Sequence, residues 1–202
     1  MTALIDNTSP IVGAYSLTLT STGGSDVAYL TPTNVSGLTK GIEQGRLRTL
    51  TRPRSTMTNG YGFGLVCMGS ADNIGTSNGD FYRFEFFSTG SYGLVRANGN
   101  TLATGTPGTV LISSTATTLT VNTIYSMEME WVADQVNLGG VYISLKKGTA
   151  TNFSDLALLS QLTDSNYQQL ITSAGEGIYL RGYTSVSEAK VSFDNTQLFL
   201  LA

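Results

Sequence analysis

Alternation runs through this chain. Tyr125, Met127, Met129 and Trp131 share one parity, and Ser126, Glu128 and Glu130 share the other. Val141, Ile143 and Leu145 alternate with Tyr142, Ser144 and Lys146. Tyr82, Phe84 and Phe86 alternate with Phe81, Arg83, Glu85 and Phe87. A period of two sends successive side chains to opposite faces of an extended segment, so each run reads as a strand with one dry side and one wet side. A slip of one residue would carry the glutamates inward, which fixes the register strongly. Helical periodicity is nearly absent, and Gly and Asn punctuate the runs, as in an antiparallel sandwich or barrel. The pattern predicts strands over Tyr15–Thr20, Gly45–Thr51, Tyr61–Met68, Phe81–Phe87, Tyr92–Ala97, Val110–Ser113, Thr118–Asn122, Tyr125–Ala133, Val141–Lys146, Gly177–Tyr183 and Ala189–Leu201. The last run is expected to break near Asp194 and Asn195. Phe153–Leu162 is the one stretch expected to form a helical turn or two.

The totals narrow this picture. A chain of 202 residues, 41% hydrophobic, can bury one sizeable core. No fixed-period repeat and no low-complexity linker divides it, so a single domain over 1–202 is expected, with 1–44 packing on or completing the sandwich. Only 12% of residues are charged and the net charge is −3, which disfavours a nucleic-acid partner. No stretch approaches the roughly 18 apolar residues of a membrane helix. The start "MTALIDNTSPIVGAYSL" lacks the basic and apolar regions of a secretory signal, so synthesis in a cytoplasm is expected. Cys67 has no partner for an intramolecular disulfide, and with no histidine in the chain it reads as a buried structural thiol.

Four stretches together resemble a known superfamily. They are "YGFGLVCMGSADN…DFYRFEFF", "YGLVRANGNTLA", "NTIYSMEMEWVADQVNLGGVYISLKKG" and "GEGIYLRGYTSVSEAKVSFDNTQLFL". Their order is similar to that of the concanavalin A-like lectin/glucanase jelly roll, including laminin-G-like domains, over roughly residues 45–201. The resemblance implies an all-β fold of two packed antiparallel sheets. It is a pattern of strand types rather than of chemistry. The last segment has Phe193-Asp194-Asn195-Thr196 where the superfamily has F-D-N followed by an apolar residue.

Several groups are candidates for chemistry. Family glucanases carry E-x-D-x-(x)-E on a strand. Here "EMEWVAD" offers Glu128, Glu130 and Asp134, but Val132 and Ala133 stand where the third acid belongs, so no catalytic residue is assigned. Two solvated glutamates on a half-buried strand are the plainer reading. In "GSADNIGTSNGD", Asp72, Asn73, Asn78 and Asp80 are oxygen donors of the kind calcium takes, and laminin-G-like relatives bind calcium at loops. The spacing matches no metal template, and the same residues make ordinary turns, so no cofactor is expected, with calcium at this loop as the alternative.

Arg46, Arg48, Arg52 and Arg54 share one parity over about 27 Å of extended chain. With Pro53 beside them they suggest a charged edge strand or a docking strip for an acidic partner. Finally, if Ser88–Ser91 closes a hairpin with Phe87 opposite Tyr92, Arg83 lies opposite Arg96. Arg83, Tyr92, Arg96, Tyr179, Arg181 and Tyr183 then form a Tyr/Arg face of the kind that lectin-like jelly rolls use for sugars. The alternative is a second buried layer.

These readings favour a non-enzymatic structural or adhesive protein of a viral particle: a bacteriophage capsid decoration, head-fibre or tail component. It would be homo-oligomeric and docked on acidic virion proteins through the arginine strip, with a possible glycan face. Two further expectations stand beside it, a carbohydrate-binding lectin-like module, extracellular in location, and a glycoside hydrolase or lyase acting through Glu128 and Glu130.

Overall fold

The computed structural model describes residues 2–21, 27–30, 44–55, 61–68, 81–87, 90–97, 109–115, 118–134, 139–166, 176–182 and 188–201, with backbone alone at 27–30, 97 and 181–182. Among the described residues thirteen strands form two antiparallel sheets, and there is no helix. The strands are β1 (Thr2–Asp6), β2 (Ser16–Ser21), β3 (Val27–Leu30), β4 (Gln44–Pro53), β5 (Tyr61–Cys67), β6 (Phe81–Phe87), β7 (Tyr92–Ala97), β8 (Thr109–Ser114), β9 (Tyr125–Asp134), β10 (Gly140–Gly148), β11 (Ala157–Asp164), β12 (Gly177–Gly182) and β13 (Ala189–Leu200). A seven-stranded sheet runs β1-β2-β13-β4-β9-β10-β11, and a six-stranded sheet runs β3-β12-β5-β6-β7-β8. The architecture is the all-β two-sheet sandwich, one of the two forms the alternation allows, and the jelly roll that the resemblance implies.

Parity sorts the side chains. Leu47, Met127, Met129, Trp131, Ile143 and Phe193 from the larger sheet meet Phe63, Leu65, Phe84, Phe86, Leu94 and Leu180 from the smaller one in a single core. Aromatic rings tie the layers together. Phe84 and Phe86 lie 5.1 Å apart, and Phe63 of β5 meets Phe193 of β13 edge-on at 6.5 Å. Burying each such side chain contributes about 1.5–3 kcal/mol.

Five expectations change. Phe153–Leu162 is not helical. Phe153 closes a turn at φ 62°, and Ala157–Asp164 pairs with β10 as an edge strand. Its apolar spacing fits either state, and the open edge of β10 decides. Thr118–Asn122 forms no strand. Only Leu119 there is buried, and the Asn122 amide donates to the Pro53 carbonyl at 2.8 Å. β13 does not break at Asp194-Asn195. It runs on through a register shift between Asp194 and Gln197, with Asn195 at φ 47°. β4 is no edge strand but the middle of the seven. Pro53 is tolerated because it is the last residue of β4, beyond the last pair with β9 at Thr51. The β6–β7 hairpin is in a different register: Phe86 faces Tyr92, and Tyr82 faces Arg96.

Candidate functional site

That one-residue difference dismantles the Tyr/Arg face. Tyr92 and Arg96 have the parity of Tyr82, Phe84 and Phe86 and point between the sheets. Arg96 is ion-paired there with Asp164 of β11, whose Oδ2 also accepts a hydrogen bond from the Tyr82 hydroxyl at 2.7 Å. Burial and that carboxylate push the Tyr82 phenol far up from its ordinary value. Arg83 points the other way, toward the outer side of the six-stranded sheet. It is nonetheless buried, 3.0 Å from Glu85. Tyr179 is buried as well. Arg83, Tyr92, Arg96 and Tyr179 therefore present no open surface. The Arg181 backbone pairs with Gly62 and Val27; its side chain, Tyr183 and the loop carrying Asp72, Asn73, Asn78 and Asp80 lie outside the described residues. Among the described residues no group of three acids or thiols is arranged to hold a metal.

The outer face of the seven-stranded sheet is different. Register places two rows of side chains across five strands. One row is Phe199, Arg46, Glu130, Ser144 and Gln161. The other is Gln197, Arg48, Glu128, Lys146 and Leu158. Four strand spacings of 4.7–4.9 Å make each row about 19 Å wide. Tyr142 sits one step further along β10, and its hydroxyl donates to Gln161 Oε1 at 2.8 Å. The arginine strip and the glutamate pair, distant in sequence, thus become neighbours.

Most of these groups are fixed. Arg48 donates through Nε and Nη2 to Gln197 Oε1 at 2.9 and 2.6 Å. Its guanidinium also lies over the rings of Phe153 and Phe199, at 4.5 and 4.8 Å. Glu128 is 2% exposed, yet it belongs to the outer face rather than the core. Lys146 Nζ donates to its Oε1 at 2.8 Å, and Arg46 Nε lies 3.8 Å from Oε2. Those cations offset the desolvation of the carboxylate.

Two groups in the first row are not fixed. Arg46 stacks on Phe199 at 4.6 Å but makes no hydrogen bond among the described residues. Glu130, directly opposite it, is partly exposed and has neither an ion pair nor a hydrogen bond there.

Arg52 and Arg54 do other work. Arg52 Nη2 donates to the Ser9 carbonyl, and Arg54 Nη1 donates to the same oxygen at 3.3 Å and lies 4.0 Å from Asp6. Burial, followed by repulsion from Arg54, holds the Arg52 guanidinium below its usual range. Asp6 accepts from the Thr8 hydroxyl at 2.7 Å and the Thr8 amide at 2.9 Å, so its carboxyl sits below the usual range too. These bonds hold residues 6–12 over one end of the face. Ile11 packs there on Leu50 and Phe153, so a small apolar cluster closes that end. The strip is therefore two pairs, one on the open face and one clamping its wall.

A cavity of about 570 Å³ lies elsewhere, between the sheets beside Ile5, Leu17, Leu47, Ile178, Phe193 and Leu198. Its lining is largely apolar, with Tyr15, Ser16, Glu176, Asp194, Asn195 and Thr196 also on its wall.

No protein-family model matches the chain, and no curated protein matches it. Solved structures do. An alginate lyase from Aplysia kurodai is similar over 98% of this chain and 87% of its own, with TM-score 0.63 and 11% identity. The exoplasmic/lumenal domain of VIP36, in a form bound to Ca²⁺ and Man3GlcNAc, aligns over 100% of this chain and 83% of its own, with TM-score 0.57 and 10% identity. The alginate lyase Aly36B, in complex with alginate tetrasaccharide, aligns over 93% of this chain and 83% of its own, with TM-score 0.51 and 13% identity. The fold is thus the concanavalin A-like jelly roll, shared with carbohydrate-binding and carbohydrate-active proteins.

These likenesses bear on two expectations, and they correct the second. A bacteriophage virion protein finds no support among them. Lyases carry this fold, and so does a glycoside hydrolase from Bacillus licheniformis, at TM-score 0.52 over 33% of its chain. The missing histidine and the incomplete glucanase motif are therefore no ground for calling the chain non-enzymatic. At these identities the likeness establishes the fold and no activity.

Proposed function

We propose that the chain is a carbohydrate-binding protein and that its site is the outer face of the seven-stranded sheet. One observation carries this reading: two rows made mainly of hydrogen-bonding side chains cross five strands of one sheet face, with Phe199 at one end of a row and Tyr142 next along β10. A sugar offers hydroxyls that both donate and accept, together with weakly polar C–H faces. Glu130 and Gln161 accept, Arg46 and Lys146 donate, and the two rings supply flat amphipathic area. Solved structures of this fold with bound sugar, VIP36 with Man3GlcNAc and Aly36B with alginate tetrasaccharide, support the class of ligand.

A glycan array followed by ¹⁵N chemical-shift mapping tests it. Shifts should concentrate on β4, β9, β10 and the end of β13. Perturbations confined to the six-stranded sheet, or an array without hits at millimolar sugar, would refute it. Release of reducing ends or unsaturated products during the titration would extend the reading from binding to turnover.

A further inference from the structure

We infer that the sugar read by this face is an acidic one, a uronate whose carboxylate lies on Arg46 while its hydroxyls donate to Glu130. The inference rests on the carbohydrate reading above and names the chemistry of the ligand. Arg46 and Arg48 make the case by contrast. Arg48 spends its donors on Gln197 and is stacked between two rings. Arg46, two residues away on the same face, stacks on Phe199 but makes no hydrogen bond among the described residues, and its Nε is closed off from solvent. About a third of the side chain, 32%, is nevertheless exposed.

The counter-charge Arg46 meets among the described residues is Glu128, 3.8 Å from its Nε and already bonded to Lys146, so the guanidinium is left without a close hydrogen-bond acceptor, and a ligand carboxylate matches its planar fork. Glu130 faces Arg46 across β4 and β9, yet the two do not pair. Opposite charges that face each other without pairing hold both a donor and an acceptor ready, Arg46 being tied only loosely to Glu128. A neutral sugar would serve Glu130 with its hydroxyls but offer Arg46 only neutral oxygens, without a counter-charge. A simple anion would serve Arg46 and be repelled by Glu130. A uronate residue satisfies both. The two rows carry three cations (Arg46, Arg48, Lys146) against two carboxylates (Glu128, Glu130), a local excess of positive charge on a chain of net charge −3.

The test is isothermal titration of the full chain with an alginate hexasaccharide, cellohexaose and dextran sulfate. The uronate should bind at least about tenfold more tightly than the neutral sugar, and Arg46→Gln should remove at least about tenfold of that affinity. Arg46→Lys keeps the charge without the fork and should recover only part of it. Thermal melts show that each variant is folded, and Glu130→Gln, at a partly exposed position, gives a second readout of the same site. Cellohexaose binding as tightly as the uronate overturns the acidic ligand and leaves the carbohydrate reading intact. Dextran sulfate binding as tightly reduces the site to unspecific charge and overturns it as well. No binding by either sugar brings down the carbohydrate reading itself.

Discussion

Tyr61 shows how one buried polar atom couples the core to pH. Its ring packs in the core near Phe63, and its hydroxyl donates to the Ser55 carbonyl at 3.2 Å. Burial pushes the phenol from 10.0 up to about 12. The sign follows from linkage. The unfolded chain loses this proton near pH 10, while the folded chain holds it to about pH 12. The contribution of the neutral phenol is whole below pH 10 and is lost as pH rises through that window; Tyr82, raised further, adds to the decline. Tyr61→Phe should cost about 0.5–1.5 kcal/mol at pH 7 through the lost hydrogen bond. It should also flatten the fall in stability between pH 10 and 12 in urea titrations. An unchanged slope would count against this account. At this scale the sequence is readable where parity alone decides: Trp131 inward and Glu130 outward follow directly from alternation. The roles of Arg46 and Arg48 were not readable. Both have the same type and parity, and only Gln197 and Phe153, distant in sequence, distinguish them.

Elements differ in how far their own residues specify them. β9 and β10 are dictated by strict alternation. β11 is not, because "ALLSQLTD" suits a helix as well, and its hydrogen bonds to β10 settle the matter. β4 looked like an edge because of Pro53 and four arginines. The neighbours β13 and β9 place it centrally; Gln197 and Ser9 take up the charges of Arg48 and Arg52, while Arg46 only approaches Glu128 at 3.8 Å. Between β5 and β6 the approach is close. A Cβ at Gly64 would strike the Phe84 backbone carbonyl, which cannot swing aside. Gly64→Ala should therefore destabilise the protein by about 1–3 kcal/mol, read from chemical denaturation. A neutral result would mean that β5 can move away from β6 at no cost.

At the scale of the molecule, two sheets must hold together at their edges as well as through their centre. The aromatic cluster secures the centre. At one edge Asp164 of β11 receives Arg96 and Tyr82 from the facing sheet, and Tyr92 donates to the Leu159 carbonyl at 3.1 Å. Asp164→Asn leaves a buried guanidinium without its counter-charge and should cost about 3–5 kcal/mol in denaturant unfolding. Replacing the pair together, Arg96→Met with Asp164→Leu, should recover most of the loss. Equal losses in both variants would show that the charge pairing is not what matters there. The sequence by itself determined the fold class, the dry and wet parity of the central strands and the absence of a disulfide, because alternation and cysteine count are local properties. The tertiary structure decided the hairpin register that buries Tyr92 and Arg96, the central place of β4, and the meeting of Arg46 with Glu130. Each of these depends on which strands pair and at what offset, and pairing is a relation between distant segments that no single segment encodes.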